Sequence, residues 1–209
     1  SIESEEALGV IDPIYTPSKY DDEEALSEFF GKTLEFAQVL FGRVCTKRPL
    51  SFERVVDDMR ERDTLSTNSG WPRFARRERV KQAEIEDAKT GKAYDYPAIA
   101  LFRQYNGKLR LVWMYPMSMN LIENTFAQPL QEALRHSPQQ WVREYLSPWE
   151  GYEQENASLT KQWDSNTRMF GGDTTAMDAH MRRAQIRLVY EIVKWCFQPP
   201  SWEQLKRCM

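Results

Sequence analysis

The sequence predicts an α+β fold rich in helix. Three observations carry this: apolar residues recur at helical spacing along several stretches, two short alternating runs meet at Asn106-Gly107, and 41% of the 209 residues are hydrophobic, which is enough for a proper core.

The elements follow in order. Residues 1–30 hold nine acids against one lysine, and residues 1–20 are read as an acidic leader. Asp21 or Asp22 can cap a first long helix, in which Leu26, Phe29, Phe30, Thr33, Ala37, Leu40 and Phe41 keep helical spacing up to Gly42. Ser51 to about Arg62 forms a second helix, and Leu65 to Phe74, punctuated by Ser, Asn, Gly and Pro, forms a loop. A basic run follows at Arg73, Arg76, Arg77, Arg79 and Lys81, interrupted by Glu78; it reads as a solvated helix face or as a phosphate-tracking patch.

The runs 98–105 and 108–114 make a hairpin, because Asn106-Gly107 is the favoured pair for a tight I′ turn. In its second strand Lys108, Arg110 and Val112 share one face. A helix runs from Ser118 or Asn120 to about Arg135, with a turn or two at 139–145, while the polar stretch 147–167 carries no assignment. The segment before Asp173 reads as a strand end, and a helix over 179–197 carries Met181, Ala184, Leu188, Val189, Ile192 and Cys196 on one side. Ser201 to Gln204 has capping-box spacing and opens a last helix, which stops at Met209. With Ser1 as its first residue, the chain reads as partial.

Composition excludes several classes. Cys45, Cys196 and Cys208 are odd in number and lack CxxC spacing, and His136 and His180 stand far apart, which argues against a disulfide framework or a zinc site. No signal peptide and no membrane-spanning run is legible, so the chain reads as soluble, not secreted and without a membrane partner. The net charge of −3 hides an asymmetry: residues 1–30 contribute −8 and the remainder +5, a mildly basic body behind an acidic leader.

Asp173 and Asp178 lie five apart, between an apolar run and a helix. A bend there points both carboxylates into one cleft, where hard oxygen ligands favour Mg²⁺ or Mn²⁺, ions that bind through one or two carboxylates plus substrate phosphates. The plainer reading makes the pair an N-cap and a solvated turn residue.

Three segments occur in a telling order: Ser66-Thr-Asn-Ser-Gly-Trp-Pro-Arg-Phe74, Lys108-Leu-Arg-Leu-Val112 and Gly172-Asp-Thr-Thr-Ala-Met-Asp178. They resemble three landmarks of viral RNA-dependent RNA polymerases: the template-entrance loop, the basic fingers strand and the catalytic Asp-x4-Asp of the palm. The wording of the third is similar to picobirnavirus polymerases in particular, and the resemblance covers most of the chain. It implies part of a right-hand polymerase, with fingers over 21–165 and the start of the palm over 166–209.

The same resemblance implies the roles. Asp173 would hold the catalytic Mg²⁺ or Mn²⁺, and Asp178 would sense the ribose 2′-hydroxyl or, on the plainer reading, cap the following helix. Arg110 would lie against the triphosphate of the incoming nucleotide, with Lys108 beside it and Arg103 as a further fingers cation, each of the three having an exposed strand charge as the alternative. Ser69, Gly70 and Pro72 would form the entrance loop, Trp71 would offer a stacking surface or plug the core, and Arg73, Arg76, Arg77 and Arg79 would line the template path.

The implied partners are template and product RNA, nucleoside triphosphates and, as a further candidate, the viral capsid protein; the implied location is a virion interior or host cytoplasm. The family's Ser-Gly helix motif and Gly-Asp-Asp hairpin do not occur before Met209, so the chain alone is expected to be inactive. The competing reading is a non-catalytic RNA-binding or assembly module with an incidental aspartate pair.

Overall fold

The computed structural model describes residues 4–165, 168 and 170–209, the side chains of Ser4, Tyr20 and Asp178 lying outside that description. In chain order, α1 spans Ser4–Tyr15, α2 Ser27–Phe30, α3 Thr33–Phe41, α4 Phe52–Glu61 and α5 Arg77–Thr90. Strands β1 (Ile99–Tyr105) and β2 (Lys108–Met114) follow, then α6 Met117–Arg135, α7 Gln140–Tyr145 and α8 Tyr152–Ser165. The last helices are α9 Met177–His180, α10 Arg183–Val193 and α11 Trp202–Cys208. A helical content of 64% with one two-stranded antiparallel sheet among the described residues places the chain in the helix-rich α+β class.

The chain divides into two compact units. The first comprises the chain up to Lys19, Arg48–Pro129 and Glu203–Met209, and the second Tyr20–Lys47 with Leu130–Trp202. The expected fingers and palm segments each contribute to both.

The first unit is built on α4, α5 and the start of α6. Val55, Val56 and Met59 of α4 recur on one face and meet Ile85 and Ala88 of α5 and Met117, Leu121 and Ile122 of α6, all buried. Each of these side chains larger than alanine contributes about 1.5–3 kcal/mol on leaving water. Ser51 starts α4 by accepting the Arg54 N–H at 3.2 Å. The acidic leader is not a bare tail: its described part forms α1, which lies against β2.

The hairpin has the expected turn. Asn106 and Gly107 sit at φ +49° and +72°, as a I′ turn requires, and this sets the register Tyr105↔Lys108, Arg103↔Arg110 and Leu101↔Val112.

In the second unit α10 packs on α3, and the buried side chains include Ala37, Val142, Ala184, Tyr190, Cys196 and Phe197. A short parallel bridge joins Lys47 to Phe197, with the Lys47 N–H donating to Cys196 O and the Gln198 N–H to Lys47 O, both at 3.0 Å. Burial pushes the Cys196 thiol up to about 12, and in the first unit the Cys208 thiol up to about 11.

Three expected elements differ. The first long helix is broken at Gly31-Lys32, where the Lys32 N–H turns to Phe29 O three residues back; glycine is a poor helix former at that point. The 179–197 helix is interrupted at Met181-Arg182 and restarts when the Gln185 side chain accepts the Arg182 N–H at 3.1 Å. Among the described residues no strand leads directly into Asp173: residues 170–174 are neither strand nor helix, Phe170 is 96% exposed, and nothing among the described residues pairs with the segment. Gly171 and Gly172 are costly to order in an extended ladder, and without a partner strand no ladder repays that cost.

Candidate nucleic-acid interface

The expected site residues fall in both units. Arg103, Lys108, Arg110 and the loop 66–74 belong to the first, Asp173 and Asp178 to the second.

Within the first unit the hairpin presents one exposed face. Because residues opposite each other in an antiparallel pair point the same way, Leu101, Arg103 and Tyr105 share it with Lys108, Arg110 and Val112, and all six are exposed. The other face sets Phe102, Leu109 and Leu111 in half-buried positions. Arg103, Lys108 and Arg110 make no ion pair among the described residues, and Arg110 lies 5.7 Å from the centre of the Tyr105 ring. Two arginines directly opposite one another repel, at a cost of about 0.2–1 kcal/mol. A phosphate placed between their guanidinium forks would turn that cost into a gain.

The loop 66–74 is fixed to the foot of this hairpin. Ser69 is fully buried; its N–H donates to Ala75 O and its carbonyl accepts the Met117 N–H, both at 2.8 Å. Gly70 sits at φ +72°, where a β-carbon would lie 3.0 Å from Tyr115 O, so both its backbone angle and the close approach of β2's end require glycine. The Trp71-Pro72 peptide is cis. Trp71 is 41% exposed and meets Phe74, 47% exposed, edge to face at 5.9 Å. The exposed ring thus departs from the core-plug alternative.

The four arginines after the loop divide into two kinds. Arg73 points inward: its Nη1 donates to Glu84 Oε1 at 2.9 Å and to Asp87 Oδ2 at 2.7 Å. Partial burial disfavours its charge, but the hydrogen bonds to Asp87 and Glu84 outweigh that and raise its pKa. Arg77 is half-buried, donates from Nε to Asn68 O at 3.2 Å, and has its pKa lowered by burial. Both therefore hold the loop's shape, and Arg73, expected along the template path, has its charge met within the protein. Arg76 and Arg79 are exposed and make no ion pair among the described residues, leaving them as the free cations of the run.

Sequence reasoning missed Phe74, Glu84 and Asp87. Phe74 could have been found as a second aromatic at the loop's edge. Nothing in one sequence marks two acids on a helix as buried partners of an arginine.

In the second unit Asp173 is exposed, with Oδ1 accepting the Thr174 N–H at 2.8 Å, a local turn contact. Asp178 stands in α9, and its side chain lies outside the described residues. The helix-cap alternative places it before its helix; α9 instead starts at Met177, ahead of Asp178. Among the described residues no group of three or more His, Cys, Asp or Glu converges as a metal cage. A single accessible carboxylate fits an ion whose shell is completed by waters and substrate phosphates, and does not fit a preformed protein cage.

No protein-family model matches the chain, and neither a curated protein nor a solved structure matches it.

Proposed function

We propose that the chain is part of an RNA-directed RNA polymerase of viral type, similar to those of picobirnaviruses, comprising fingers and the start of the palm. The observation that carries this reading is Arg103, Lys108 and Arg110 on one exposed face, without an ion pair among the described residues, in the compact unit that also holds the Ser69-Gly70-Trp71-Pro72 loop. A surface that sets like charges opposite each other needs an anion, and a strand of forked and point cations suits a triphosphate.

On this reading Arg110 and Lys108 receive the nucleotide's phosphates and Arg103 widens the positive face. Ser69 and Gly70 fix the loop, Trp71 stacks on template bases, and Arg76 and Arg79 follow the RNA backbone. Asp173 would hold Mg²⁺ or Mn²⁺, and the two-metal chemistry supplied there would be a lowered pKa for the primer 3′-hydroxyl from one ion and charge neutralisation at the leaving pyrophosphate from the other. Asp178 accepts a hydrogen bond from the 2′-hydroxyl and so disfavours deoxynucleotides. The setting is a virion interior or host cytoplasm, with template and product RNA and the capsid protein as partners. No helix among the described residues is long and apolar enough to cross a membrane.

The test is to read the parent coding sequence in frame beyond Met209 and assay its product. A Gly-Asp-Asp segment should follow, and Asp173→Asn should abolish Mg²⁺-dependent ribonucleotide addition while RNA binding persists. Retained synthesis in that variant would sink the reading. A second reading, a non-catalytic RNA-binding module, is favoured by the unpaired, strandless segment 170–174. It requires RNA binding indifferent to Asp173→Asn and no nucleotide addition by the parent.

A further inference from the structure

The loop that carries Trp71 and Phe74 is anchored from beneath by a buried ionic cluster. Glu84, fully buried on α5, accepts Arg73 Nη1 through Oε1 and the Ser118 N–H through Oε2 at 2.8 Å. One carboxylate thus ties the loop to the first turn of α6, which directly follows the hairpin. Asp87 completes the cluster, accepting from Arg73 and, at 2.9 Å, from the Tyr96 hydroxyl. A buried charge paired and hydrogen-bonded on both oxygens is held in one geometry, because losing either partner leaves a charge uncompensated.

The sequence positions flanking Arg73 do the opposite. Trp71 and Phe74 turn out to solvent and touch edge to face, and Phe74 holds φ +47°, an angle that a bulky residue rarely adopts, with its N–H on Gly70 O at 2.8 Å. The single cation at the centre of the loop is therefore drawn inward, while two rings are held outward.

We propose that Phe74 is an RNA-contacting residue that forms with Trp71, whose ring stands nearly perpendicular to it, a two-walled aromatic corner in which a nucleobase stacks on one ring against the edge of the other, and that Glu84 is the positioning residue that holds this platform through Arg73. The proposal rests on the RNA-binding reading and deepens it: contact at this loop is aromatic stacking, not phosphate neutralisation. Stacking is tolerant of sequence, since every base has a π-face, and it releases no counterions. The loop's share of the affinity is therefore independent of salt, in contrast to that of Arg76 and Arg79.

The experiment is the affinity of the 209-residue chain for a short fluorescein-labelled single-stranded RNA, followed by anisotropy across a series of KCl concentrations. Circular dichroism of each variant checks that it is folded. Phe74→Ala should weaken binding about fivefold or more with the slope of log affinity against log salt unchanged, and Phe74→Tyr should restore it. Arg76→Ala should instead flatten the slope. Glu84→Gln should weaken binding in the wild-type background and have a clearly smaller effect in Phe74→Ala, where Trp71 alone remains to be positioned, a non-additivity that general destabilisation would not produce. Where Glu84→Gln is not folded, Arg73→Lys, which keeps the charge but loses the fork, takes its place in the cycle.

Wild-type affinity in Phe74→Ala, a changed salt slope in that variant, or additive losses in the cycle would overturn the proposal while leaving the functional reading intact. A wild-type chain that binds no RNA would overturn both.

Discussion

Arg103 stands directly opposite Arg110 in the antiparallel hairpin, and neither side chain meets a carboxylate among the described residues. The pair is an electrostatic cost to the isolated fold and an asset to a complex with an anion. Arg103→Glu should therefore separate the two. Facing Arg110 with a carboxylate should raise stability by about 0.2–1 kcal/mol, seen as a higher midpoint in thermal unfolding. The same change should weaken binding of RNA and nucleoside triphosphate. Loss of stability in this variant would mean that the repulsion is already relieved in the native protein.

Arg110→Ala should act on the nucleotide rather than on the fold. On the proposed polymerase reading its effect belongs in nucleotide use, as a raised KM where the fork binds ground state and transition state alike and as a lowered kcat where it acts on the leaving phosphates. Unchanged KM and kcat would remove Arg110 from the site.

Gly70→Ala should disturb the entrance loop twice over. The positive φ strains any β-carbon, and that carbon would lie 3.0 Å from the Tyr115 carbonyl oxygen, a backbone atom that cannot swing aside. A loss of about 1–3 kcal/mol in urea unfolding is expected, with a fall in RNA affinity because Trp71 is the next residue. An RNA affinity equal to wild type would show that the position of Trp71 does not matter.

The Arg73–Asp87 contact gives a pH dependence with a definite sign. Burial pushes the Asp87 carboxyl up, but the hydrogen bonds from Arg73 and Tyr96 prevail and hold its pKa below the ordinary 3.8. The folded state therefore binds this proton less readily than the unfolded one. The resulting stability is fully present above 3.8 and disappears as pH falls through the lower folded value. Asp87→Asn should cost about 1.5–3 kcal/mol at neutral pH, and the gap from wild type should close in acid when urea midpoints are compared. A gap that stays constant with pH would mean that the charge of Asp87 is not what stabilises.

Much of the fold was legible where local chemistry is unambiguous. Ser51 announces α4, and Asn106-Gly107 fixes the turn and with it the register that pairs Arg103 with Arg110. Helix α5 was legible only at its start, as the solvated-helix-face alternative for the basic run, because periodicity counts apolar residues and two of its buried positions are Glu84 and Asp87. Their partner, Arg73, lies outside the helix, so the pattern makes sense only in three dimensions. Helix α8 was missed for the opposite reason: none of its residues is buried, so no apolar stripe marks it. At the candidate site the exposed hairpin cations were readable from strand alternation. The inward turn of Arg73 and the outward turn of Phe74 were not, since spacing along a loop does not say which side chain faces the core.

Cys196, buried, and Cys208, half-buried, offer a practical handle. Thiolate is the nucleophile, and burial, which pushes the Cys196 thiol up to about 12 and the Cys208 thiol up to about 11, disfavours that form and so slows alkylation at neutral pH in the folded chain. One lies in each compact unit. The appearance of alkylated Cys208 or alkylated Cys196 in a timed labelling experiment thus clocks the opening of each unit separately, without any introduced probe.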